Sequence, residues 1–130
     1  MSKKERAKTW KQITKALEAT EGVKDVASLN TWVEGVAELV EEMAQDYEEN
    51  QSNLEESPGL LDKWEEANPT WEETRELADS LAEFDVTNGD YDTMPVRLKG
   101  QTVKSAQEAY DAWLEGIVSQ ISDQVNEVAP

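Results

Sequence analysis

The chain of 130 residues contains no cysteine and no histidine. Without cysteine it forms no disulfide, no thiolate zinc site and no iron–sulfur cluster. Without histidine it lacks the commonest general base, the commonest neutral metal ligand and the usual partner of a catalytic serine. A di-iron bundle built on Glu-x-x-His motifs is disfavoured for the same reason. We therefore expect no cofactor, no metal, no catalytic residues and no enzyme.

Long hydrophobic runs are also missing, since no window approaches the roughly 18 apolar residues of a membrane span. The basic residues 1–15 are followed by no apolar stretch of signal-peptide length. We expect a cytoplasmic protein, in the host cytoplasm if the chain is viral, with no membrane contact. A hydrophobic content of 38% favours a folded domain spanning residues 1–130 over disorder. Five tryptophans are expected to be buried together: Trp10, Trp32, Trp64, Trp71 and Trp113.

Negative charge is in excess, with a net charge of −17 at pH 7, and it is unevenly distributed. Residues 34–92 contain twenty acidic side chains against two basic ones, Lys63 and Arg75. Residues 1–15 contain six Lys and Arg against one acidic residue, Glu5. A halophilic surface is disfavoured because Lys outnumbers Arg nine to three and Glu outnumbers Asp twenty to nine. The sequence predicts an acidic body with a short basic arm.

Apolar residues at intervals of three and four predict an all-α, single-domain bundle of about four to five helices. The first helix is expected over residues 3–21, with Trp10, Ile13 and Leu17 on one side and Gly22 as the stop. At about 100° per residue, four lysines form a basic stripe on a different side. These are Lys4, Lys8, Lys11 and Lys15.

The second helix is expected to begin near residues 28–31, where Thr31 followed by Glu34 fits a capping box. Its apolar stripe comprises Leu29, Trp32, Val33, Val36, Val40, Met43 and Tyr47. The opposite side carries Glu34, Glu38, Glu41, Glu42, Glu48 and Glu49. One side of this helix is therefore predicted to pack and the other to be almost purely carboxylate.

Two shorter helices are predicted next. Ser57 and Pro58 indicate the start of the third, and Asn68-Pro69 its end. Its apolar residues are Leu60, Leu61 and Trp64. Thr70 with Glu73 suggests a capping box for the fourth helix. The fourth helix is expected to bury Trp71, Leu77, Ala78, Leu81 and Phe84 and to expose Glu72, Glu76 and Asp79.

The last helix is expected over about residues 102–128, long enough to be the central packing partner. Its predicted buried stripe is Val103, Ala106, Tyr110, Trp113, Leu114, Ile117, Ile121 and Val125. Before it, residues 85–101 show no helical period and are expected to form one long irregular loop. Within the loop, Val96 and Leu98 alternate with Arg97 and Lys99, which leaves a brief strand or hairpin open.

The sequence gives little support to three further functions: calcium binding, hydrolysis by a carboxylate pair and direct binding of nucleic acid. Asp85, Asn88, Asp90 and Asp92 surround Gly89, but an EF-hand register would place Phe84 at the first ligand position, so an Asn-Gly turn is favoured over a calcium site. A hydrolytic carboxylate pair needs one buried acid, whereas these acids fall mostly on solvent-facing positions. Direct nucleic-acid binding is disfavoured, except through the basic first helix, because the charge repels phosphate.

The functional prediction is an acidic inhibitor that mimics nucleic-acid phosphates and blocks a basic nucleic-acid-binding enzyme. Small phage-encoded inhibitors of restriction or CRISPR enzymes resemble this chain in size, acidity and helical character, without matching residues. The expected partner-binding residues are Glu34, Glu38, Glu41, Glu42, Glu48, Glu49, Glu55, Glu56, Glu72, Glu76 and Asp79.

Two other functions stay open. In a phage or virion assembly protein, the basic N-terminal helix would dock on the acidic face of a neighbouring subunit, giving a homo-oligomer. In an adaptor, the acidic face would bind a basic protein without imitating nucleic acid.

Overall fold

The longest helix lies at the centre of a five-helix bundle. The computed structural model describes residues 3–87 and 91–130, with the side chains of the first helix from Glu5 onward. The helices are α1 (Lys3–Glu18), α2 (Val26–Asn53), α3 (Pro58–Ala67), α4 (Trp71–Ala82) and α5 (Val103–Asn126). No strand forms among these described residues. The all-α prediction is confirmed.

α2 begins earlier than predicted, directly after Asp25. The Asp25 carboxylate accepts a 2.8 Å hydrogen bond from the Ser28 backbone N–H, and the Asp25 backbone N–H donates to the Ser28 hydroxyl at 3.0 Å. This reciprocal pair is a capping box. The box predicted at Thr31 is wrong, because Thr31 lies inside the helix and its hydroxyl donates to the Ala27 carbonyl at 3.1 Å.

Replacing Asp25 with alanine is expected to lower the Tm, because the first turn of α2 loses its cap. The Ser28 backbone and hydroxyl hold the pKa of Asp25 below its usual value. The stabilisation is therefore present above the unfolded-state pKa of about 3.9 and is lost as the pH falls through the lower folded-state pKa. In thermal unfolding, the Tm gap between the wild type and Asp25→Ala should shrink towards low pH. Asp25→Asn, which retains a capping oxygen, is the control and should stay near the wild-type Tm at neutral pH.

α2 is the central packing helix, and α1, α4 and α5 all pack on it. Six of its seven predicted core residues are buried: Leu29, Val33, Val36, Val40, Met43 and Tyr47. Trp32 is half-buried, and its Nε1 donates a 2.8 Å hydrogen bond to the Ala16 carbonyl of α1. The prediction that the last helix is central is wrong. α5 starts at Val103, which is 68% exposed, and its first buried side chain is Trp113.

α3 and α4 begin where predicted, but without the predicted side-chain caps. Ser57 and Thr70 are the N-cap residues, yet neither side chain accepts a capping hydrogen bond. The Thr70 carbonyl instead accepts a 2.7 Å hydrogen bond from the Thr74 hydroxyl. The capping box of Thr70 with Glu73 is therefore wrong.

α3 contacts the core along one edge, through Trp64, which is half-buried. Leu61 is half-buried as well. Leu60, the first of the three apolar residues of this helix, is 54% exposed. It precedes Leu61 by one residue, and a helix turns by about 100° per residue, so the two side chains cannot share this narrow edge.

The five tryptophans share one hydrophobic core, as predicted: Trp113 is buried in it, and the other four are partly buried against it. Trp64 packs edge-on against Tyr47, with ring centroids 6.1 Å apart, and lies 6.0 Å from Trp71. Trp113 lies elsewhere, where its Nε1 donates to the Asp92 carbonyl at 2.8 Å. Trp64 and Trp71 therefore cover one part of the core together with Tyr47, whereas Trp113 pairs with Tyr110 at a centroid distance of 5.7 Å.

The described residues between α4 and α5, 83–87 and 91–102, form neither helix nor strand. A strand or hairpin at Val96 is therefore not formed. The Phe84 and Tyr91 rings pack edge-on at 5.3 Å, and both pack against the core, so the first half of this connection is held close to it. Asp85 accepts a 2.8 Å hydrogen bond from the Thr87 N–H. The predicted Asn-Gly turn at residues 88–90 lies outside the described residues.

The first helix is shorter than predicted. α1 ends at Glu18, well before the expected stop at Gly22. Gly22 lies in a turn after the helix, which the Val23 N–H closes by donating to the Thr20 carbonyl at 3.1 Å.

Candidate acidic interface

The carboxylates predicted for partner binding lie on α2, on the turn that follows it and on α4. Glu41 is half-buried and the others are exposed: Glu34, Glu38, Glu42, Glu48, Glu49, Glu55, Glu56, Glu72, Glu76 and Asp79. On α2 they fall within an arc of about 120°. α4 packs alongside α2, and we call the carboxylates of these two helices the acidic face. Glu55 and Glu56 follow the end of α2 and have no hydrogen bond to that face among the described residues.

Arg75 of α4 joins three of these carboxylates. Its Nε donates to Glu48 Oε1 at 2.7 Å, and its Nη1 lies 2.5 Å from Glu41 Oε2 and 3.2 Å from Asp79 Oδ1. Its Nη2 also donates to Glu48. Burial acts to lower the pKa of Arg75, but the hydrogen bonds to the three carboxylates outweigh it and raise that pKa. The guanidinium therefore stays charged, and its ion pairs with Glu41 and Glu48 link α4 to α2.

Replacing Arg75 with glutamine is expected to lower the free energy of unfolding by about 1 kcal/mol, because these partly exposed ion pairs are screened by water. The loss should shrink as salt rises, because added ions screen the repulsion that remains between the three carboxylates. Urea unfolding at low and high salt measures both effects. Lys63→Gln removes one positive charge from an exposed site on α3 and is the control. An equal loss of unfolding free energy in the two variants would show that net charge sets the stability, and that the ion pairs of Arg75 with the three carboxylates do not.

A groove of about 340 Å³ lies between α2 and α4. Its apolar lining consists of Ala37, Ala78, Leu81 and Ala82, and its carboxylates are Glu34, Glu38, Glu41 and Asp79. Ala78 and Leu81 are buried, whereas the acidic residues are exposed or half-buried. Ala78 and Leu81 therefore form the floor, half-buried Ala37 lies beside them, and the carboxylates form the rim together with exposed Ala82. We call this the acidic groove, and its composition suits a ligand with both apolar and cationic groups.

One acid of this region does not belong to the surface. Asp46 on α2 is 1% exposed, and its Oδ2 accepts a 2.7 Å hydrogen bond from Arg6 Nε of α1. The sequence predicts the basic arm and the acidic body as separate regions, yet this pair joins them in the interior. The signal in the sequence was weak, because on the helical wheel Asp46 lies about 40° from Glu42, at the border between the glutamate side and the apolar stripe.

Lysines of α1 form the basic counterpart of the acidic face. Lys8, Lys11 and Lys15 are exposed, as the predicted stripe requires. The side chain of Lys4 lies outside the described residues. No large apolar side chain of α1 is exposed among the described residues. This stripe therefore offers charge without apolar contact area.

Comparison with protein-family models, curated proteins and solved structures finds no match for this chain. Over residues 3–87 and 91–130, no group of three or more acidic side chains is placed to hold a metal ion. None of the described helices is long and apolar enough to cross a bilayer.

Proposed function

We propose that the acidic face binds a basic protein surface that otherwise binds nucleic acid, and that the protein acts as an inhibitor of such an enzyme. The spacing of the carboxylates supports this. From Glu34 to Glu49, α2 rises by about 22 Å and carries six glutamates, or one per roughly 4 Å. One strand of DNA presents a phosphate about every 3.4 Å. A groove that contacts one strand would meet a similar density of negative charge.

Rigidity also supports the proposal. The six glutamates stand on one continuous helix whose opposite side is buried in the core. Arg75 holds Glu41 and Glu48 in place from the neighbouring helix. A row of charges fixed in this way loses little conformational entropy when it binds, so more of the interaction energy appears as affinity.

The net charge of the face determines what it attracts. Arg75 offsets one of the acidic-face charges, but the face remains strongly negative. Such a field attracts clustered Lys and Arg over long distances and repels nucleic acid. The partner class is therefore a protein with a basic nucleic-acid-binding groove.

The proposal is tested by capture from an extract of the source cells on the immobilised protein. Retained proteins should be nucleic-acid-binding enzymes that duplex DNA elutes. Retention should fall at least about tenfold between 50 and 200 mM salt, because ion pairs with the face are screened. Retained proteins that resist both DNA and salt, or the absence of any retained protein, would contradict the proposal.

A further inference from the structure

Exposed apolar side chains concentrate in one short segment before and at the start of α5. Among the described residues, four of the five exposed large hydrophobic side chains belong to it: Met94, Val96, Leu98 and Val103. Val96 and Leu98 are 76% and 70% exposed. Clustered apolar exposure of this kind marks an interaction surface. We call residues 94–104 the basic apolar segment.

The charge of this segment is opposite to that of the body. Arg97, Lys99 and Lys104 are all exposed, and residues 93–107 contain no acidic side chain. In an extended chain, successive side chains point to opposite sides. Val96 and Leu98 would therefore share one side of an extended segment, while Arg97 would lie on the other. Lys99 is exposed in the turn that follows, which the Gln101 N–H closes by donating to the Leu98 carbonyl at 3.1 Å. The Arg97 Nε donates to the Gln101 carbonyl at 3.4 Å, a contact that docking would exchange for a carboxylate.

The acidic groove has the complementary composition, with an apolar floor and a rim of carboxylates. An occupant that suits it presents apolar groups to the floor and cations to the rim. The lysines of α1 supply only cations, because the exposed part of that helix has no large apolar side chain. The basic apolar segment supplies both.

We infer that the basic apolar segment of one copy docks into the acidic groove of a second copy. Val96 and Leu98 cover the floor formed by Ala78 and Leu81, and Arg97 and Lys99 reach rim carboxylates. The two surfaces differ, so the contact is heterologous and generates a ring or an open chain of subunits. Self-association of this kind goes beyond the proposed function and occupies part of the same acidic face.

The test uses sedimentation velocity at low ionic strength over a range of protein concentrations. The wild type should exceed its monomer mass of 14.6 kDa as concentration rises, and added salt should reverse this. Val96→Ser/Leu98→Ser changes exposed residues only and should abolish association. Leu60→Ser, an equally simple change at an exposed leucine outside both surfaces, should leave it intact. A wild type that stays monomeric, or a Leu60 variant that behaves like the segment variant, would overturn the inference.

Mixing two variants tests the heterologous geometry. Glu34→Lys/Glu38→Lys reverses two charges on the rim of the groove and leaves the segment intact, whereas Val96→Ser/Leu98→Ser takes two apolar side chains from the segment and leaves the groove intact. Each alone should be monomeric, and an equimolar mixture should form dimers and nothing larger. A mixture that stays monomeric would contradict the proposed pairing. The segment variant retains every carboxylate of the acidic face, so its capture of a DNA-elutable partner tests the proposed function separately.

Discussion

Replacing Asp46 with alanine is expected to lower the free energy of unfolding by about 3–5 kcal/mol, because it leaves the Arg6 guanidinium buried without its carboxylate. The side chain of Arg6 is 7% exposed and that of Asp46 is fully buried. The same guanidinium lies 4.3 Å from the centroid of the Tyr47 ring, and its Nη1 donates to Asn68 Oδ1 at 2.8 Å. The pair therefore joins α1, α2 and the end of α3.

Urea denaturation measures this loss. Glu42→Ala, an exposed position four residues earlier on the same helix, is the control and should change the free energy by no more than about 0.5 kcal/mol. The double variant Arg6→Met/Asp46→Leu should recover most of the loss, because no buried charge remains. A loss below about 1 kcal/mol for Asp46→Ala would show that the pair does not hold α1 in place.

Neutralising three carboxylates of the acidic face is expected to weaken partner binding by roughly 30-fold. Glu34→Gln, Glu38→Gln and Glu42→Gln together remove three exposed ion pairs at about 0.7 kcal/mol each, close to 2 kcal/mol in total. Most of the change should appear in the association rate, because these charges steer the encounter. Surface plasmon resonance with the captured partner gives both rate constants.

The matched control carries the same change in net charge elsewhere. Glu108→Gln, Glu115→Gln and Asp123→Asn remove three exposed carboxylates from α5. This variant should weaken binding by no more than about threefold, which long-range attraction alone explains. Equal losses in the two triple variants would show that net charge matters and that the acidic face is not the contact surface.

Periodicity predicted the helices because each one buries a stripe of side chains along its own length. The α2 stripe from Leu29 to Tyr47 is an example, and all of its residues except Trp32 are buried. Periodicity cannot tell how helices cross, so it assigned the central position to the longest apolar pattern near the C-terminus. Val103 continues that pattern, but nothing packs over it.

Polar partners were harder to predict because they depend on contacts between helices. Arg75 is one of two cations in the acidic region, and nothing in the sequence distinguishes it from Lys63. Its ion pairs with Glu41 and Glu48 form only because α4 lies beside α2. Arg6 and Asp46 are 40 residues apart in sequence, and nothing local distinguishes them from exposed neighbours. The predicted start of α2 was wrong for a different reason. Two sequence patterns fit a capping box in this region, Asp25 with Ser28 and Thr31 with Glu34, and the structure forms the earlier one.

The most direct measurement is a competition titration on the captured partner. The apparent Kd of that partner for duplex DNA is measured at increasing concentrations of this protein. We expect the apparent Kd to rise in proportion to the concentration of the protein, because one basic groove holds either DNA or the acidic face. The triple variant Glu34→Gln, Glu38→Gln and Glu42→Gln should produce a much smaller rise. An apparent Kd that stays constant while the protein remains bound would contradict binding in place of nucleic acid.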